Sequence, residues 1–281
     1  MSNKILILGA SGFIGQALYK ELGPYFDVYG TYCKENPDFS INQVLYQFDQ
    51  EKDDLLDILE KTRPQVIISS LRGDFDALLS LHRQLTNYVL TNTQCKLLFL
   101  SSVNVFDGKF EFPSYETDSP LAESGYGRYK ITVEKLIREL PPENFAILRL
   151  PMVLGVNSPR IFQLKQSIIN QAAFEVFPNL IISITTANKI AQQIHYIINK
   201  KLSGIFHLSS HDMIHHEDLF RELTEKLSDK TPIFKSVFSR NEDSYLAILP
   251  KKNKLPKEYR ITVAKVIEES TLNEEISTLK T

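Results

Sequence analysis

The turn Gly9-Ala10-Ser11-Gly12-Phe13-Ile14-Gly15 constrains this chain more than any other feature. It follows Lys4-Ile5-Leu6-Ile7-Leu8, an apolar run of the kind found in a parallel strand covered on both faces. After it, Ile14, Leu18 and Leu22 recur at helical spacing until Gly23-Pro24 stops the helix. Strand, glycine-rich turn and helix in that order build a phosphate cradle. Gly9 permits the tight turn, Gly12 lets a phosphate approach the backbone, and Gly15 lets the helix pack on the sheet. The helix amino terminus, with Phe13 and Ile14 in its first turn, then faces a dinucleotide pyrophosphate, and Ser11 offers a hydroxyl donor. Taken alone, the turn is also compatible with a plain connector, because glycine punctuates many loops.

The pattern downstream repeats the alternation. Strands are expected at Phe26–Tyr32, Val44–Phe48, Val66–Ile68, Lys96–Leu100 and Phe145–Leu150. Helices are expected around Leu55–Leu59, ending before Pro64, and over Phe75–Tyr88 and Tyr126–Leu140. Phe106–Ser124, rich in Gly, Pro, Ser and acids, reads as an active-site loop. Strand-helix alternation of this kind predicts an α/β fold, a Rossmann-like doubly wound parallel sheet. Residues 1–155 form its main part. Residues 156–270 are expected to mix a smaller carboxy-terminal substrate-binding lobe with the last sheet elements. There, helices are expected near Phe162–Ala172, Asn188–Asn199 and His216–Leu227, and strands at Leu180–Ile184 and Gly204–Leu208. Residues 271–281 read as a flexible tail.

A formal net charge of −2 gives no whole-chain case for nucleic acid or an acidic membrane as partner. No apolar run has signal-peptide or transmembrane form, so the expected location is cytoplasmic. Cys33 and Cys95 are too few for a disulfide framework or a thiolate metal cluster.

The end of the second strand bears on which cofactor the turn accepts. An acid there would receive the adenosine ribose of NAD, but the chain has Gly30-Thr31-Tyr32-Cys33-Lys34, with no acid before Glu35. Thr31 and Lys34 suit the extra phosphate of NADP, although Lys34 is equally readable as a solvated lysine. NADP(H) is therefore the preferred expectation, with NAD(H) open. Asp49, with Gln50 beside it, reads either as an adenine ligand or as a helix-capping aspartate.

The chemical candidates lie further on. Tyr126 and Lys130 are four residues apart and share one helical face. A phenol titrates near pKa ~10, and a neighbouring cation is what brings phenol and phenolate within reach of neutrality. Ser102, at the end of the preceding strand, can orient a carbonyl. Tyr129 lacks a lysine four residues later and is expected on another face. His207, His211, His215 and His216 read as solvated or capping rather than as a metal site, because their spacing crosses a strand end and a loop. Arg160 faces either a diphosphate or solvent.

With those residues in place, the chain resembles an extended short-chain dehydrogenase/reductase of the dTDP-4-dehydrorhamnose reductase-like branch. The resemblance rests on the glycine turn, on Ser101-Ser102-Val103-Asn104-Val105-Phe106-Asp107-Gly108, on Tyr126-Gly127-Arg128-Tyr129-Lys130, and on Ile147-Leu148-Arg149-Leu150-Pro151-Met152-Val153-Leu154-Gly155. It implies reduction of a keto group on a nucleotide-linked sugar by a nicotinamide cofactor. In that scheme Tyr126 is the acid/base, Lys130 its electrostatic and ribose-binding partner, Ser102 the carbonyl-positioning hydroxyl, and Pro151 lies on the nicotinamide side. A paired-helix homodimer is a further implication. After the fourth strand the family places an Asn and small residues against the cofactor, whereas this chain has Ser69-Ser70-Leu71-Arg72-Gly73-Asp74. Ser69, Ser70 and Leu71 are the expected cofactor contacts there, and Arg72 suits a phosphate or a substrate acid. The departure keeps two alternatives open: a noncatalytic dinucleotide-binding regulatory subunit associated with an enzyme, and an epimerase.

Overall fold

The computed structural model describes residues 3–34, 43–238 and 240–272. Seven parallel strands form the main sheet: β1 (Lys4–Leu8), β2 (Asp27–Tyr32), β3 (Leu45–Gln47), β4 (Val66–Ser69), β5 (Lys96–Ser102), β6 (Phe145–Leu150) and β11 (Gly204–His207). Their order across the sheet is β3-β2-β1-β4-β5-β6-β11. The chain leaves β1 in one direction through β2 and β3, then returns to start the other half at β4. That reversal opens a crevice beyond the carboxyl ends of β1 and β4, where a doubly wound sheet binds its ligand.

The apolar run of β1 is long because both faces of the sheet are covered. Ile5 and Ile7 pack with Leu18 and Leu22 of α1 (Phe13–Leu22) and with Ile190 and Ile194 of α6 (Ala187–Asn199). Leu6 and Leu8 pack on the opposite side with α2 (Leu56–Thr62), α3 (Phe75–Thr91) and α4 (Gly125–Ile137). Ile5 through Leu8 are fully buried, and each contributes about 1.5–3 kcal/mol of hydrophobic stabilisation.

The carboxy-terminal lobe has its own core, in which Leu154, Phe174, Phe220 and Val266 meet α5 (Pro159–Ile169), α7 (His216–Leu227) and α8 (Val263–Ser270). The chain re-enters the main sheet from this lobe through β11, and α6 packs on α1. The expected strand at Leu180–Ile184 is two strands, β9 (Leu180–Ile182) and β10 (Ile184–Thr186), separated at Ser183, whose hydroxyl accepts from the Ile248 amide at 3.1 Å. Short strands β7 (Met152–Leu154), β8 (Ala173–Val176), β12 (Ile214–His215), β13 (Ile233–Ser236) and β14 (Ser244–Leu246) were not expected. Runs of two to four residues carry too little periodicity to register.

The segment Phe106–Ser124 is anchored at both ends rather than loose. Ser124 and Asp107 are hydrogen-bonded to each other, and the Gly108 amide donates to Leu121 O at 2.9 Å. In the middle, the buried Glu116 carboxylate accepts amides of Lys251, Lys252 and Asn253. No helix among the described residues is long and apolar enough to cross a membrane.

Candidate active site

A cleft of about 1150 Å³ opens at the carboxyl ends of β1, β4 and β5. Gly9, Ser11, Gly12, Phe13, Ile14 and Gly15 line one end of it. Gly9 adopts φ +84°, and a Cβ on Gly15 would collide with the Gly9 carbonyl and Ala10 Cα, so turn and helix close as the sequence requires. Gly12 caps α1 without a side-chain hydrogen bond, and no acid stands in the first turn. The amides that open α1 thus meet the cleft without a capping partner from the side chain, which suits a pyrophosphate.

Other predicted cofactor residues divide into those on the cleft wall and those that serve the frame. Ser70, Leu71, Gln50 and Pro151 line the cleft. Ser70 also donates its hydroxyl to Leu8 O at 2.7 Å, tying β4 to β1. Thr31 lines the cleft but is buried, and its hydroxyl accepts from the Gly9 amide at 2.9 Å, so it braces the glycine turn. Ser69 does not reach the cleft wall. It is buried and hydrogen-bonded to His82 Nε2 at 3.0 Å, because it is the last residue of β4 and faces α3. Lys34 is exposed beyond the cleft wall, and Glu35 lies outside the described residues. Asp49 lines the cleft, yet its carboxylate accepts from the Glu51 amide at 3.1 Å and pairs with Lys52 at 2.9 Å. The Lys52 hydrogen bond and then the Glu51 amide hold that carboxyl below its ordinary pKa. Asp49 thus stays on the cleft wall and caps no helix, since the helix Leu56–Thr62 is capped by Leu55.

At the other end of the cleft stand Ser102, Asn104, Tyr126 and Tyr129. Ser102 ends β5 and caps the short turn Val103–Phe106, donating to Asn104 Oδ1 at 2.9 Å while accepting from the Asn104 amide. Ser124 caps α4 by accepting from the Gly127 amide, which sets Tyr126 in the first turn. Burial raises the Tyr126 phenol above its usual pKa, opposed by the positive charge of Arg72 and by a hydrogen bond with Ser102.

Lys130 lies one turn below and is 4% exposed. Its Nζ donates to Leu100 O at 2.8 Å and sits 4.5 Å from the Phe99 ring centroid and 5.6 Å from that of Tyr126. Burial, then Arg72, pull its pKa down to about 7, with Glu134 acting in the opposite sense. With one proton committed to Leu100, the ammonium keeps two for a ligand.

Tyr129 departs from expectation. It lines the same cleft as Tyr126, with ring centroids 6.5 Å apart, stacks on Phe75 at 5.0 Å, and leaves its hydroxyl without a partner. Phe75, the first residue of α3, draws this ring over. Behind α4 lies a sealed polar cluster that the sequence did not reveal. Glu134 receives Arg149 Nε at 3.0 Å, Arg149 Nη2 at 2.7 Å and Ser101 Oγ at 2.6 Å. A glutamate one turn after Lys130, and an arginine inside the apolar strand β6, were the available signals. Arg160 lines the lobe side of the cleft, hydrogen-bonded to Gln163. His207 belongs to the sealed cluster, against Arg149 at 3.4 Å, and His216 Nδ1 accepts from the Phe177 amide.

A doubly wound sheet with a glycine turn at one end of its crevice, Ser102 and Tyr126 at the other, and Lys130 buried one helical turn along from Tyr126 is the arrangement of the NAD(P)-binding Rossmann class of extended short-chain dehydrogenase/reductases. The model of the family described as RmlD substrate binding domain matches residues 85–267, and the chain belongs to that family. It is 24% identical over 253 residues, 83% of each protein, to the probable low-salt glycan biosynthesis reductase Agl14 of Haloferax volcanii. Among solved structures it is similar to the dTDP-4-dehydrorhamnose reductase of Bacillus anthracis in complex with NADP, with a TM-score of 0.75, 18% identity, and coverage of 96% of this chain and 99% of that one. It is also similar to the dTDP-glucose 4,6-dehydratase of the same organism in complex with NAD, with a TM-score of 0.79, 14% identity and 96% of each chain covered.

Proposed function

We propose that the protein reduces a keto group on a nucleotide-linked sugar with NADPH or NADH. The observation that carries this reading is the placement of Ser102 and Tyr126 on the cleft wall at the end opposite the glycine turn, with Lys130 buried one helical turn along from Tyr126. The reduced nicotinamide, when bound, supplies the hydride. Ser102 orients the carbonyl oxygen, and Tyr126 gives that oxygen its phenolic proton as negative charge develops. Lys130 stabilises the resulting phenolate and has N–H donors left for the nicotinamide ribose. Asn104 Oδ1 holds the Ser102 proton until the hydroxyl turns it toward the carbonyl oxygen.

NADPH is the proposed preference. Among the described residues the end of β2 runs Thr31-Tyr32-Cys33-Lys34 with no acid to repel a ribose phosphate. The Thr31 hydroxyl accepts the Gly9 amide and keeps its own O–H as a donor, and the exposed Lys34 supplies the cation for that phosphate.

Titration of the purified protein with NADPH and NADH, followed by cofactor consumption with nucleotide-linked keto sugars, tests both statements. Saturable binding and turnover that Tyr126→Phe abolishes are the expected results. Binding without turnover on any keto sugar would favour a regulatory subunit. Isomer exchange with retained cofactor and no net consumption would favour an epimerase.

A further inference from the structure

We infer that Asn104 forms a subsite for the sugar hydroxyl next to the keto carbon, its Nδ2 donating to that oxygen, so that the substrate keeps a free hydroxyl beside the carbonyl that is reduced. This rests on the reductase reading above and narrows its substrate class.

Asn104 stands where the reacting end of the sugar has to come, on the cleft wall with Ser102 and Tyr126. It belongs to the short helical turn Val103–Phe106 that follows β5, and its backbone is held on every side. The Asn104 amide donates to Ser102 Oγ at 3.2 Å, and the Asp107 amide donates to Asn104 O at 3.3 Å. From the other direction α4 presses on the turn, because a Cβ on Gly127 would collide with the Asn104 carbonyl. Asn104 is thereby locked both to the strand end that carries Ser102 and to the helix start that carries Tyr126.

Its side chain is engaged at one end only. Oδ1 accepts from Ser102 Oγ at 2.9 Å. Nδ2 makes no hydrogen bond among the described residues and, unlike the Tyr129 hydroxyl, is not sealed. Two N–H donors therefore stand open beside the Ser102 hydroxyl.

The chemistry of the carbonyl decides which oxygen they meet. An sp² oxygen has two lone pairs, and in the reduction Ser102 and Tyr126 take both. A third donor in the same wall is left for the next oxygen along the sugar. The amide holds its oxygen and nitrogen side by side, as a sugar holds oxygens on successive carbons. With Oδ1 next to Ser102 and Ser102 next to the carbonyl, Nδ2 falls beside the oxygen one carbon away. When Ser102 turns its proton to the carbonyl, Asn104 gives up that bond, and the hydrogen bond from Nδ2 keeps the amide in place.

The test compares dTDP-4-keto-6-deoxyglucose, in which the hydroxyl beside the carbonyl is on carbon 3, with its 3-deoxy analogue. Dissociation constants are measured for the wild type and Asn104→Ala saturated with oxidised NADP, which binds with a ketone without hydride transfer. The wild type should favour the 3-hydroxyl probe by about tenfold, the worth of one hydrogen bond. Asn104→Ala should bring the probes to parity by weakening the hydroxyl probe, with the 3-deoxy probe and the cofactor binding as in wild type. Equal affinity for the two probes in the wild type, absent binding included, overturns the inference. So does a preference that Asn104→Ala retains, or a loss equal for both probes, which would leave Asn104 acting only through Ser102 and the turn. The underlying reading fails separately: a protein that selects the 3-hydroxyl through Asn104 but transfers no hydride from NADPH or NADH to the keto sugar refutes the reductase reading alone. One that binds and reduces both probes alike refutes only the hydroxyl subsite.

Discussion

Two buried cations stand close together in this protein and do opposite things. Arg149 is 1% exposed and sealed: Glu134 takes it bidentately, Ser101 completes the carboxylate, and Phe106 lies 4.8 Å from the guanidinium carbon. Lys130, one helical turn before Glu134, is almost as buried but has a backbone carbonyl, aromatic rings and another cation for neighbours. A buried charge with a full set of partners fixes structure. One left partly unmatched is held ready to change its interactions when a ligand arrives. The sealed cluster clamps α4 to β5 and β6, and thereby holds the open one in place.

The comparison breaks most visibly at the phenol. Tyr126→Phe should lower turnover by about 10²–10⁴-fold while leaving cofactor binding and thermal stability near wild type. A variant that keeps full turnover would end the acid/base assignment. On the sealed side, Glu134→Ala strands Arg149, and the expected cost is about 3–5 kcal/mol of stability, read from urea unfolding. A loss of activity without that destabilisation would mean that Glu134 belongs to the open site.

The third test uses pH. Lys130 has a folded pKa near 7, below its ordinary value of 10.5. The unfolded chain therefore holds a proton that the folded chain sheds across this window, so stability from this group rises with pH between the two values and its full cost is felt below the lower one. Lys130→Met lacks that slope. Relative to wild type it should be more stable at neutral pH, with the advantage shrinking as pH rises, as urea midpoints at both ends of the window would show. The smallest effect is expected from Ser101→Ala, about 1 kcal/mol for one hydrogen bond to a carboxylate that keeps its arginine. A much larger loss would show that the serine, and not the arginine, holds the cluster together.

Local sequence was legible wherever a residue's role follows from its own neighbours in the chain. Lys4–Leu8 had to be an interior strand, the three glycines had to form a close turn, and Tyr126 and Lys130 had to share a helical face. Side chains whose role depends on what crosses them were not legible. Ser69 read as a cofactor contact, but it faces His82, a residue brought to it by α3, and Thr31, which does line the cleft, also braces the Gly9 amide. Tyr129 read as facing elsewhere because helical periodicity ignores Phe75, which draws its ring into the cleft wall.

The sequence by itself determined that this chain builds a parallel sheet with a close glycine turn after its first strand, since backbone conformation and hydrophobic period act over a few residues. Only the tertiary structure decided which charges are sealed and which stay open. Arg149 and Glu134 are fifteen residues apart in the chain, and Arg72 and Lys130 far more. Burial and partner geometry, which set the energy of a charge, exist only once those elements have packed.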